Sequence, residues 1–368
     1  MIGLTEIRRR KVQFALIALV VTLISYLVLM ISGLGVGLNV AAGSALKSFD
    51  ADAIAYSRQG GLSVIRSEIG AETVAALTTL PGVDAAAPLG YVAAPYRLKN
   101  GTIESAAFLG FDPGLISEPR VTRGRTLTPA DGRGLLADSR FLRLSGYRIG
   151  DTFDVTLRLT TERFTIVGEI DEGNFFFQPA VYILRSTWQE LKYSSDQGAV
   201  RPEASIVLLQ GDGLVGRESA DYEVVSKTTA FANIEGVSGQ QSTVRSLQVF
   251  GFLIGGMVIG VFFYVLTLQK VPQIGMLKAL GASSGFVFRQ VLTQVFTVAV
   301  IGIAISVPLA IVTERLLTRG ASSVPVAFST GTFVTTVIIL VVTALVGALF
   351  SGRQVLKVDP IIALGQQQ

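Results

Sequence analysis

Residues 262–284 read FFYVLTLQKVPQIGMLKALGASS. An apolar run stops at Gln269 and Lys270, and a much shorter segment then carries the punctuation of a helix of its own. Pro272 suits a first helical turn, where its missing N–H would be unpaired anyway, and Gly281 suits the position after the last turn, where φ is often positive. Between them Ile274, Leu277 and Leu280 recur at helical spacing and form one apolar stripe. The stretch predicts a membrane span followed by a separately capped amphipathic helix over 271–282. Such a helix lies in the lipid interface or seats in a groove of a cytoplasmic protein.

The remainder of the chain agrees with a membrane setting. Its 368 residues are 50% hydrophobic and 16% charged, too apolar for a soluble enzyme of that length. Four windows, 12–46, 246–269, 290–313 and 320–352, contain no Asp, Glu, Lys or Arg. Each exceeds the roughly 20 helical residues that cross about 30 Å of hydrocarbon. Trimmed, they predict spans near 12–34, 247–268, 290–313 and 332–350. The basic N-terminus followed by an apolar run also has the outline of a secretory signal, with small residues AAGSA at 41–45. The run is longer than the usual signal core of about 7–15 residues, so an uncleaved anchor is expected.

Basic residues fix the orientation. Arg8, Arg9, Arg10 and Lys11, then Lys270, Lys278 and Arg289, then Arg353 and Lys357 all flank span ends on one side. By the positive-inside rule both termini and the 269–289 loop are cytoplasmic. Glu314, Arg315 and Arg319, between the last two spans, run against this pattern without overturning it. The net charge of +4 is thus topogenic, and no aromatic residues interleave the basic ones as nucleic-acid stacking would require.

This topology leaves about 210 residues outside the membrane, enough chain for an independent domain. The expected division is 1–35 (cytoplasmic N-terminus and first span), 36–245 (outer domain with stalk segments) and 246–368 (second span, the 271–282 helix, third and fourth spans, cytoplasmic tail). Within the outer part, 67–82 (SEIGAETVAALTTLPG) has helical spacing, and 151–170 alternates as two paired strands with a turn near Thr161–Glu162. The fold class is a four-helix membrane unit with a mixed α/β extracytoplasmic domain between its first two spans. EGNFFFQP (172–179) puts three phenylalanines in an expected loop, as core or as a contact surface.

Several chemistries are closed off. The chain has no cysteine and no histidine, which removes disulfides, thiolate metal sites and the commonest general base. GASSG at 281–285 has the spacing of a nucleophile elbow but no histidine base, and is helix-end punctuation. No Gly-Lys dipeptide occurs, so no phosphate loop of the G-x-x-x-x-G-K-[ST] type exists here. The spans lack paired ionisable residues, which argues against an intramembrane enzyme.

The 262–281 segment, with ISGLGVGL (31–38) and KVDPIIALG (357–365), resembles the FtsX/MacB-type (type VII) ABC transporter permeases, whose pattern is close to Q-x-x-x-x-I-G-x-L-K-A-x-G. The TLQKVPQIG extension points to the heme-regulated transporter branch of that family. The resemblance in layout covers the whole chain, and close identity is concentrated in the first span, 262–281 and the tail. It implies a non-catalytic permease in the cytoplasmic membrane of a bacterium, surrounded by lipid and paired with a second copy of itself. It also implies two copies of a cytoplasmic ABC ATPase that carries ATP-Mg. The helix after the second span is the family's coupling helix, so Pro272, Ile274, Gly275, Leu277, Lys278 and Gly281 would contact that ATPase. Gly251 and Gly255, and Gly256 and Gly260, offer small-xxx-small faces for helix or dimer packing.

The heme branch implies heme as the transported substrate, with no intrinsic cofactor. Without histidine or cysteine, methionine sulfur, tyrosinate and carboxylate remain as iron ligands. Met30 near the outer end of the first span and Tyr26 one turn earlier share a helix face, and are the candidate heme-binding pair against the plainer possibility of packed or lipid-facing residues. Two alternatives stay open: a MacB-like exporter of peptides, lipids or antibiotics, and an FtsX-like regulator of a cell-wall hydrolase that transports nothing.

Overall fold

The computed structural model describes residues 11–157, 160–171, 173–193, 201–269, 271–272, 275–276, 280–319 and 324–357. They form two compact units, one of Leu38–Gln241 and one of Met1–Gly37 with Ser242–Gln368. A single long helix, α1 (Lys11–Ser48), passes from the second into the first, and its only non-helical backbone lies at Gly43.

In the Leu38–Gln241 unit the elements follow in the order β1 (Ala53–Ser57), α2 (Ala71–Thr78), β2 (Val83–Arg97), β3 (Ile103–Phe111), β4 (Val121–Gly124), β5 (Gly134–Asp138) and α3 (Ser139–Ser145). Then come β6 (Thr152–Leu157), β7 (Thr160–Ile170), β8 (Asn174–Phe175), β9 (Gln178–Leu184), α4 (Arg185–Tyr193), β10 (Ile206–Gly211), β11 (Tyr222–Ser226) and α5 (Lys227–Ala232). The sheet order is β11-β1-β10-β2-β3-β9-β5-β7-β4, with β6 paired to both β7 and β2. The 15-residue β2 is shared. Its first half pairs with β10 in an open antiparallel sheet, and its second half pairs with β3. From there β3, β9, β5, β7 and β6 return to β2 through the single pair Tyr96↔Val155, closing a six-strand circuit.

Strand alternation divides the interior in two, because successive side chains point to opposite faces. Ala180, Tyr182 and Leu184 of β9 face one core with Leu109 and Phe111, and Ala42, Ala45, Leu46 and Phe49 at the end of α1 pack into the same core. Val181 and Ile183 face the other, with Phe108, Phe153, Phe164 and Trp188, covered by α3 and α4. The predicted helix within 67–82 is α2. The strand pair within 151–170 is β6 and β7, with its turn placed earlier than expected. Leu157 pairs with Thr160 and Thr156 with Thr161, so Thr161 and Glu162 lie inside β7. The β-branched threonines continue the ladder, and their hydroxyls meet at 3.0 Å across it.

The other unit consists of the first part of α1, most of α6 (Val237–Gln269), α7 (Ser284–Arg319) and α8 (Thr330–Lys357). Among the described residues, three helices are long and apolar enough to cross a membrane: Phe14–Ser48, Val237–Phe262 and Phe288–Leu317. The stretch expected as a fourth span lies in α8, where Thr330–Val346 is a shorter apolar helix. Glycines let these helices approach closely, as is common in bilayers. A Cβ on Gly251 or Gly255 would press on Val28 or Ile24 of α1, and one on Gly256 on Thr343 of α8. Hydroxyls of Thr22, Thr293 and Thr336 return to the carbonyl four residues earlier, each satisfied within its own helix.

Candidate functional site

Two places in the helical unit hold the residues singled out in the sequence. The first follows α6. Val271, Pro272, Gly275 and Met276 are helical. The Leu280 N–H donates to the Met276 carbonyl at 3.0 Å. Gly281 has φ +93°, a conformation that a side chain disfavours, so it ends this turn as its sequence position predicted. Ser283 then caps the start of α7, its hydroxyl oxygen accepting from the Phe286 N–H at 3.3 Å. Ile274, Leu277 and Lys278 lie outside the described residues. Of the neighbouring apolar residues, Met276 is 53% and Leu280 80% exposed, four apart on one helical face.

The second place is the stretch of α1 around Tyr26 and Met30. Tyr26 and Met30 are both half-buried and pack on one cluster with Val28, Leu29, Ile303 and Ala310. The Thr313 hydroxyl donates to the Leu309 carbonyl at 2.9 Å, which leaves its oxygen to accept from the Tyr26 hydroxyl at 3.1 Å. Tyr26 therefore faces α7, Met30 packs on the same cluster, and the phenol already has a partner. Sequence reasoning missed Thr313, since nothing local links residues 287 positions apart.

Just beyond this pair, ISGLGVGL becomes a seat for the chain entering α8. A Cβ on Gly33 would lie 2.5 Å from the Phe328 ring, and one on Gly37 would collide with the Pro325 carbonyl. The Ala327 N–H donates to the Gly33 carbonyl at 3.0 Å, and the Phe328 N–H donates to the Glu314 carboxylate at 3.0 Å. Glu314, the exception in the charge pattern, thus holds the backbone of this connection. A separate open groove of about 570 Å³ runs between α6 and α8, walled by Phe252, Leu253, Met257, Tyr264 and Val346. Among the described residues no group of acidic side chains is arranged to hold a metal ion.

Residues 14–213 match the MacB-like periplasmic core domain, and residues 246–360 match the FtsX-like permease C-terminal domain. A protein of Staphylococcus haemolyticus named as a hemin transport system permease, HrtB, is 25% identical over 62% of this chain. The match spans 63% of that relative's length, less than two thirds of it. A pyoverdine export ATP-binding/permease protein of Pseudomonas aeruginosa, PvdT, is 28% identical over 41% of this chain and 23% of its own. Among solved structures, the periplasmic region of MacB from Actinobacillus actinomycetemcomitans is 15% identical, covering 51% of this chain and 94% of its own at a TM-score of 0.35.

Proposed function

Because this chain belongs to the ABC transporter permeases of the MacB/FtsX type, we propose that it is the permease half of a heme exporter in the bacterial plasma membrane. The family implies an ATPase partner, and the missing phosphate loop agrees with nucleotide being bound on another chain. The observation that carries the cargo is the likeness to the hemin transport permease. The capped segment 271–282 is the coupling helix, with Pro272, Ile274, Gly275, Leu277, Lys278 and Gly281 at the ATPase contact. In this reading α8 supplies a fourth span, both termini are cytoplasmic, and two permease copies associate with two ATPase copies.

Heme, flat and apolar with two acidic tails, enters from the membrane beside the outer half of α1. Met30 offers its sulfur there. Tyr26 offers its phenol oxygen only when the Thr313 contact is exchanged. ATP-driven movement delivered through the coupling helix narrows the space and releases heme on the outer side. Replacing both Leu277 and Lys278 with Glu abolishes export while the permease still assembles in the membrane; unchanged export rules out the coupling role.

The testing experiment is a hemin titration of the purified permease in lipid nanodiscs, following the Soret band. A saturable, shifted band that changes in Met30→Ala and Tyr26→Phe supports the pair as ligands. Thr313→Val, which frees the phenol and leaves it in place, separates ligation from packing. A response identical to empty nanodiscs removes heme. The matched pyoverdine exporter favours a second reading, export of another organic cargo, which cargo-stimulated ATP hydrolysis then tests.

A further inference from the structure

The EGNFFFQP stretch, expected as a loop, forms a tight hairpin. Phe175 pairs with Gln178 and Asn174 with Pro179, leaving Phe176 and Phe177 alone at the turn. Both have positive φ, 50° and 63°. A two-residue turn of this hand asks for residues such as Asn-Gly, and bulky side chains adopt it only at a cost in backbone strain. Strain of this kind persists where surrounding contacts impose it, and here those contacts are with α1.

The Phe176 N–H donates to the Ala42 carbonyl at 2.9 Å and the Phe177 N–H to the Ala41 carbonyl at 2.8 Å. These carbonyls stand one and two residues before the non-helical Gly43, where a helix loses its own ladder partners. The Asn174 N–H donates to the Ser44 hydroxyl oxygen at 2.8 Å, just past the break. Inward, the Phe176 ring lies 5.0 Å from Tyr91 and 4.8 Å from Phe175, both buried. The Gly173 N–H donates to buried Asp138 at 2.8 Å, anchoring the hairpin to the end of β5. On the other flank of the break, a Cβ at Gly43 would lie 2.5 Å from Ile234, and the Lys47 ammonium sits 3.7 Å from the Phe231 ring centre. A broken helix is ordinarily a hinge, yet this one is gripped on both sides.

We propose that the Phe176–Phe177 turn is a fixed joint: it ties the closed strand circuit to α1 at Gly43, so that motion along α1 is carried into the sheet and not absorbed at the break. The backbone N–H groups of residues 176 and 177 and the Ser44 hydroxyl then hold α1 in position for export, a role that rests on the chain being an ATP-driven permease.

The test uses the full-length permease with its ATPase in nanodiscs. In one variant, residues 176 and 177 are replaced by a longer Gly-Ser loop, which removes both N–H donors from their positions. In another, Phe176→Asn with Phe177→Gly keeps the turn and its donors without the strain. Heme exported per ATP hydrolysed should fall about fivefold or more in the first and recover in the second, with Trp188 emission reporting an intact outer fold in both. Export per ATP equal to wild type in the loop variant overturns the joint. Amide exchange at Phe176 and Phe177 in the wild type, with and without trapped ATP, needs no cargo. Protection in both states supports a fixed joint, and loss of protection on trapping overturns it. A wild type that exports no heme removes the cargo alone, because the exchange measurement still decides the joint.

Discussion

The two units bury apolar surface to opposite extents. In Leu38–Gln241 the large side chains Phe108, Phe141, Phe164 and Trp188 are wholly buried. In the helical unit Leu253 is 61% and Met257 71% exposed on α6. The same residue types thus complete one core and decorate the outside of another. The difference is the solvent: water drives apolar side chains inward, whereas hydrocarbon gives them no such push, and close contact through small residues supplies the packing instead. Polar groups follow suit, with ion pairs such as Arg125–Asp131 and Arg163–Asp154 on the outer unit and hydroxyls folded onto their own helices in the other.

This contrast breaks most clearly at Phe164. Phe164→Ala should destabilise the outer unit by about 3–5 kcal/mol, the usual range for emptying an aromatic site in a packed core. The chain has one tryptophan, so Trp188 emission in a denaturant titration of the full-length protein follows this unit alone. A loss below about 1 kcal/mol would mean the core is loosely packed.

Asp138 sharpens the comparison through pH. It is 1% exposed, and burial raises its carboxyl to about 6, against the pull of the Gly173 and Arg140 N–H groups, while Asp171 adds to the rise. A carboxyl whose folded value lies above its unfolded value of about 3.9 binds more protons folded than unfolded. Outer-unit stability should therefore fall by roughly 3 kcal/mol as pH rises from about 4 to about 6, and level off above. Asp138→Asn should flatten that slope in the same Trp188 assay. Asp131, held low by Arg125 and Thr128, acts in the reverse sense at more acid pH.

In the helical unit, Gly37→Ala should cost about 1–3 kcal/mol through collision with Pro325, read as a lower temperature of helix loss with the Trp188 transition unmoved. The smallest effect belongs to Leu253→Ala. A side chain facing outward should change stability by less than about 0.5 kcal/mol. A larger loss, confined to high protein concentration, would place a second copy on that face.

Local rules read well where one residue type decides the backbone. Gly281 announced the positive-φ residue that ends a helical turn, and the apolar windows announced α1, α6 and α7. The helix in 67–82 and the strands in 151–170 followed from periodicity alone. Long-range geometry was hidden. Nothing near Tyr26 names Thr313, and nothing near Gly37 names Pro325. The return of β6 to β2 rests on one pair between distant residues. At Phe176–Phe177 the residues contradict the turn they occupy, so turn chemistry pointed away from the hairpin. Tertiary contacts with α1 decide that conformation, and no window of sequence contains both partners.

The circuit closed through Tyr96 and Val155 also limits what the outer unit can pair with. The ring leaves little open edge beyond β6, whose row toward β2 is engaged at one residue, and the end strands β11 and β4 and the side strand β8 are five, four and two residues long. Short ends make poor templates for strand addition.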